Sequence, residues 1–273
     1  MVVVSPRSAS QVVLRGLQSR GVVAGLDIGQ RRDGCALVVA RHDVRRTGRS
    51  REHRWLVVDA WVAPRGSRSS EAAPMIRERL APHEPVNLVV DATGIGDPWV
   101  DHLVMCGVIP TLTTVVTGSR SGLNWSIDQI GESEILRVSV PRHPSGKNET
   151  VSLLGALEAG LAMPPGASHP AVMVASSVAG TEYGRSLRAQ LAGLAWVRGR
   201  PDHQEGDHDD LAFALALAIW ASGSTPGATK VPSVARVTSA ARRQIADSRP
   251  SYVALRNGVP DSAAYLRRRG FIR

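Results

Sequence analysis

The sequence predicts an α/β fold, a mixed central sheet flanked by helices, and three stretches carry that prediction. Residues 22–43 (V-V-A-G-L-D-I-G-Q-R-R-D-G-C-A-L-V-V-A-R-H-D) hold two apolar, β-branched runs around a polar turn and read as a β-hairpin. Residues 86–107 (V-N-L-V-V-D-A-T-G-I-G-D-P-W-V-D-H-L-V-M-C-G) read as a buried strand, a Gly-containing turn and a helix. Residues 205–220 (E-G-D-H-D-D-L-A-F-A-L-A-L-A-I-W) read as a buried helix. Their alternation of large apolar side chains with alanine would suit a strand by period alone. Alanine is the strongest helix former, however, the run is long, and acids at its start favour the positive end of the helix dipole.

A chain of 273 residues, 43% of them hydrophobic, can bury one large core. The expectation is one folded domain over residues 21–222, an N-terminal arm over 1–20 and a tail over 223–273. No apolar run is long enough to cross a bilayer, and the start is too short for a signal-peptide core, so a soluble, intracellular protein with no membrane partner is expected. Cys35 and Cys106 have no metal-ligand spacing and read as buried thiols. The formal charge of +9 is concentrated in the tail, where ten Lys and Arg face two Asp from residue 221 onwards. Such a tail either grips phosphates through counterion release or keeps the protein soluble.

Along the chain, residues 42–53 read as a charged, mobile connection and 55–62 as a third strand, with Asp59 facing outward beside an Arg. A short helix over 71–80 is stopped by Pro82 and Pro85. The next strand ends on Asp91. Asp97 then serves as N-cap, Pro98 as the first helical residue and Gly107 as the C-terminal stop. Residues 109–117 are β-branched and read as a strand, whereas 118–147, rich in Gly, Ser and Arg, read as a surface excursion. A helix from about residue 148 shows Val151, Leu154, Leu157 and Leu161 on one face and stops at Pro164 and Pro165. A strand over 171–175 and a helix holding Tyr183, Leu187, Leu191 and Leu194 follow, with Arg185 and Arg188 on its solvated side.

Three acidic points remain. Asp27 sits at the end of the first strand, where it either closes the strand or must be paired or bind a metal. Asp91 ends a central strand and has no capping duty, at the position where open α/β sheets gather ligands and catalytic groups. Asp209 and Asp210 open the last helix; one can serve as a cap, and two exceed that need. Carboxylates drawn from separate elements suit hard divalent cations, and a pair of Mg2+ or Mn2+ ions can support phosphodiester hydrolysis. Together with the hairpin order they form the pattern of a ribonuclease H-like nuclease.

The three motifs, G-L-D-I-G with Asp27, V-V-D-A-T-G-I-G-D-P with Asp91 and E-G-D-H-D-D-L-A-F-A-L-A-L-A with Asp209 and Asp210, resemble the nuclease domain of the large terminase subunit of tailed bacteriophages. The segment V-P-R-H-P-S-G-K-N-E-T-V-S-L-L-G-A-L-E-A-G, with Lys147, also looks like that family's basic residue and helix between the second and third acids. The resemblance spans about residues 22–220 and implies a ribonuclease H-like fold, two Mg2+ or Mn2+ ions, and endonuclease action on concatemeric double-stranded DNA during genome packaging. By motif, Asp27 and Asp91 would be metal ligands, with Asp209 or Asp210 as the third. Lys147, Arg185 and Arg188 are the candidate DNA contacts. Asp33 matches an acid in some relatives and is equally explained by an Asp-Gly turn.

One feature departs from a complete large terminase: no G-x-x-x-x-G-K-[ST] phosphate loop is present, since residues 143–148 lack both the first Gly and the hydroxyl after Lys147. The expectation is therefore a nuclease subunit, or a fragment, whose ATPase is a separate polypeptide. It would work with the small terminase subunit and the portal, in the cytoplasm of a bacterial host and transiently at the procapsid. The alternatives on a related core are a Holliday-junction resolvase or transposase-like nuclease, an actin- or sugar-kinase-like ATPase, and a basic nucleic-acid-binding scaffold.

Overall fold

A computed structural model describes residues 2–4, 17–29, 34–47, 50–93, 97–108, 112–117, 124–130, 133–140, 152–161, 171–197, 200–202 and 209–222, all within one compact unit. The strands are β1 (Val2–Val4), β2 (Leu17–Asp27), β3 (Ala36–Thr47), β4 (Ser50–Val62), β5 (Val86–Asp91), β6 (Leu112–Thr117), β7 (Asn124–Ile130), β8 (Ser133–Val140), β9 (Val172–Ala175), β10 (Ala195–Val197) and β11 (Arg200–Asp202). The helices are α1 (Ser69–Leu80), α2 (Asp97–Met105), α3 (Leu153–Leu161), α4 (Ser176–Ala179), α5 (Glu182–Gly193) and α6 (Asp210–Ala221).

Nine strands form one sheet in the order β1-β9-β4-β3-β2-β5-β6-β8-β7. Strands β2, β3 and β4 are an antiparallel meander; β5, β6 and β8 run parallel to β2, and β7 turns back against β8. The sheet is therefore mixed and flanked by helices, an α/β arrangement consistent with a ribonuclease H-like fold. Strands β10 and β11 form a separate antiparallel ribbon. Among the described residues no helix is long and apolar enough to cross a membrane.

Side-chain alternation along the central strands splits the core into two layers. Val23, Val38 and Val89 face a layer closed by α3, α5 and α6, whereas Ala24, Leu26, Leu88 and Val90 face a layer closed by α1 and α2. Every residue from Leu211 to Ala221 is buried. A helix apolar on all sides is stable only in such a place, and each large side chain removed from water there contributes about 2 kcal/mol. The Leu-Ala alternation is thus helical, as its alanine content predicts.

Several expectations are corrected. Residues 42–53 are not a mobile connection: β3 and β4 remain paired as far as Thr47 and Ser50, which makes the hairpin much longer than its apolar part. Charged partners sustain this extension, with Arg41 bonded to the buried Asp43 at 2.9 Å and Arg54 to Glu52. Much of 118–147 is also strand, because β7 and β8 form a hairpin whose second strand extends the sheet beside β6. Parts of the segment read as an arm are strand as well: β1 pairs with β9, and β2 starts at Leu17. Asp59 faces Arg79 at 3.5 Å, as expected of an outward acid. Cys35 is a buried free thiol, and Cys106 is only partly buried. Expectations for Asp33, Lys147 and the basic tail concern positions outside the described residues.

Candidate active site

The sheet places the first two acids side by side. Strands β2 and β5 are adjacent and parallel, and their register pairs Leu26 with Val90 and Asp27 with Asp91. Parallel neighbours in register point to the same face. Since Leu26 and Val90 face the α1 and α2 layer, Asp27 and Asp91 face the other side, towards α6. Both acids are partly buried and terminate otherwise buried apolar runs.

Local hydrogen bonds orient Asp91. The backbone N–H of Thr93 donates to Asp91 Oδ1 at 2.8 Å, and the Thr93 hydroxyl donates to the same oxygen. This is an Asx turn, and it fixes the carboxylate as the chain leaves the sheet. Asp27 lies close enough to Cys35 for its charge to matter there. The Cys35 thiol is pushed up to about 12, chiefly by burial, with a smaller contribution from the Asp27 carboxylate opposing the lowering by backbone hydrogen bonds.

Helix α6 brings the other two acids to the same end of the sheet. It packs on β2 so closely that its backbone occupies the space a β-carbon on Gly25 would need. Its C-terminal end is fixed by Trp55, whose Nε1 donates to Ser222 Oγ at 3.1 Å. Trp55 pairs with His42, which pairs with Gly21, so that end of the helix lies level with Gly21. A helix of 12 residues is about 18 Å long, and the six steps of β2 from Gly21 to Asp27 cover about 20 Å. Running antiparallel to β2, α6 therefore starts level with Asp27. Asp209 occupies the N-cap position and Asp210 the first turn, both partly buried.

Four carboxylates at one end of a sheet are a donor set of hard oxygens, the chemistry that Mg2+ and Mn2+ select. Among the described residues, no three or more His, Cys, Asp or Glu side chains form a group that could hold a metal ion. The register brings Asp27 and Asp91 together, and the helix direction brings Asp209 and Asp210 to their end of the fold. The candidate DNA contacts are placed differently. Arg185 Nη1 donates to Gly180 O at 2.7 Å and Arg188 Nη2 to Ala179 O at 3.2 Å, so both guanidinium groups fasten α5 to the end of α4. Sequence reasoning missed Gln190 of α5, whose Oε1 accepts from the backbone N–H of Ala212 at 3.0 Å.

No protein-family model matches the chain, and no curated protein matches it. Solved structures similar to it include the following two. Both are large-terminase nucleases. One is the crystal structure of the large terminase nuclease from thermophilic phage G20c, 17% identical, covering 72% of this chain and 80% of that one with a TM-score of 0.42. The other is the nuclease domain of the large terminase g2p of bacteriophage SPP1 with bound Mn, 13% identical, covering 80% of this chain and 93% of that one with a TM-score of 0.41.

Proposed function

We propose that this chain is a divalent-metal-dependent endodeoxyribonuclease, the nuclease part of a phage terminase that cuts concatemeric double-stranded DNA as genomes are packaged. The observation that carries the reading is the register pairing of Asp27 with Asp91 on the face covered by α6, whose N-cap is Asp209 and whose first residue is Asp210. The motif resemblance of the same four residues supports it. Asp27 and Asp91 would hold the ions, with Asp209 or Asp210 as the third ligand. When bound, Mg2+ or Mn2+ supplies an acidified water and charge stabilisation at the leaving oxygen. The protein's own contribution is to orient Asp91 through Thr93 and to keep Asp27 on the α6 side through strand pairing. The ATPase motor would be a separate polypeptide, and the small terminase subunit and portal the other partners, at the procapsid in a bacterial host.

The test is cleavage of supercoiled plasmid by purified protein in Mg2+, Mn2+ or EDTA, with Asp27→Ala and Asp91→Ala beside the wild type. Nicking or linearisation that needs the metal and is abolished by both substitutions is expected. DNA retention without cleavage in any metal, or ATP turnover by the same acids, would overturn the proposal.

A further inference from the structure

Whether the acids of α6 can serve the strand acids depends on where the helix begins, and the first turn of a helix does not hold itself. Its leading N–H groups have no partner within the helix, and an N-cap Asp ordinarily accepts from one of them. Here Asp209 stands at the N-cap with φ −119° and ψ 8°, and its side chain makes no capping hydrogen bond. The acceptor comes from a different helix, because the Ala212 N–H donates to Gln190 Oε1 at 3.0 Å.

Gln190 is itself firmly placed. Helix α5 is capped by Thr181, whose Oγ1 accepts from the Gly184 N–H at 3.0 Å, and it is pinned by Arg185 and Arg188 to the carbonyls of Gly180 and Ala179. Leu187 is fully buried between the helices and the sheet. The Gln190 amide also lies 3.5 Å from Ser186 Oγ, to which its Nε2 donates. Its amide oxygen supplies the acceptor that the first turn of α6 needs.

We infer that Gln190 is a positioning residue of the acidic site: it fixes the first turn of α6 and thereby the place of Asp209 and Asp210 relative to Asp27 and Asp91. The inference rests on the metal-dependent reading proposed above. Residues behind the ligands of a metal site typically govern about 10- to 100-fold in affinity or activity.

The experiment compares wild type, Gln190→Met, Gln190→Glu and Asp27→Ala. It uses Mn2+ titration calorimetry, hydrogen exchange at the Ala212 amide, and cleavage kinetics on linear duplex DNA. Methionine keeps the length and volume of Gln190 but has no strong acceptor; glutamate keeps the acceptor, and its charge is favoured at a helix N-terminus. In Gln190→Met, the Ala212 amide should exchange faster, Mn2+ affinity should fall about tenfold, and kcat should fall while KM for DNA holds. Gln190→Glu should restore amide protection and most of the affinity. Mn2+ binding by Gln190→Met equal to the wild type would overturn the inference while leaving the metal reading intact. So would losses in both variants that simply follow their thermal stability. A wild type that binds Mn2+ no better than Asp27→Ala would instead overturn the metal reading and the inference with it.

Discussion

A β-carbon added to Gly25 would stand 1.8 Å from the carbonyl oxygen of Ala214, so β2 and α6 meet backbone to backbone. Nothing larger than hydrogen fits between them. Gly25→Ala must push the helix off the strand that carries Asp27, and because the obstacle is backbone, no side-chain rotation relieves it. The expected cost is about 3 kcal/mol, the upper range for overpacking a core, with cleavage falling further than the loss of folded protein explains. Urea denaturation together with activity normalised to the folded fraction measures both. An alanine variant with unchanged stability would mean that the contact is looser than described.

Asp27 and Asp91 are like charges at register-paired positions of adjacent strands, an arrangement that lowers the stability of a sheet. Asp91→Asn removes one charge but keeps the Oδ1 to which Thr93 donates. In EDTA this variant should be at least as stable as the wild type, by up to about 1 kcal/mol. Added Mn2+ should raise the thermal midpoint of the wild type and leave that of the variant unchanged. Scanning calorimetry with and without Mn2+ decides it, and an asparagine variant clearly less stable in EDTA would count against repulsion.

His42 is buried against His53, with Nε2 and Nδ1 3.0 Å apart, and stacks on Trp55. Burial foremost, then the neighbouring His53 and Arg20, lower its pKa to about 3. Between the ordinary value near 6.5 and that depressed value, the unfolded chain binds a proton that the folded chain refuses. Stability should therefore fall as pH drops through this window, by at most about 1.4 kcal/mol per pH unit from this residue. His42→Phe keeps a ring over Trp55 and should flatten the acid limb. Urea midpoints at pH 7 and pH 4.5 for both proteins test this, and parallel slopes would exclude His42 as the source.

The Cys35 thiol, raised to about 12, stays protonated at neutral pH, and the residue is buried. A thiol reagent at pH 8 should label Cys106 in the folded protein and reach Cys35 only on unfolding. Mass spectrometry of native and urea-treated samples distinguishes the two positions. Rapid labelling of Cys35 in the native protein would show that the layer under α1 and α2 opens readily.

The parts of the fold that could be read from sequence are those where a side-chain pattern answers to burial. Asp27 and Asp91 stand out because each ends an apolar run, and α6 is legible from alanine content despite its misleading period. The extended β3–β4 hairpin is hard to read because its charged residues pair along their own strands, Arg41 with Asp43 and Arg54 with Glu52, which looks like a solvated loop in one dimension. In β7 and β8, flanking Gly and Ser outweighed the β-branched residues between them. Gln190 gives no local signal, since its partner lies 22 residues on and on another helix. A capping residue supplied from elsewhere becomes visible only once the helices are packed.

The backbones of Asp27 and Asp91 stand one strand spacing apart, about 4.8 Å, and the register of β2 and β5 sets it. Sliding β5 by one residue along β2 would send one carboxylate to the wrong face. The same slip would expel Leu88 and Val90 from the layer under α1 and α2, where they are fully buried. The chain therefore cannot misalign these two acids without also misassembling its core. The tolerance of this pair is that of the sheet.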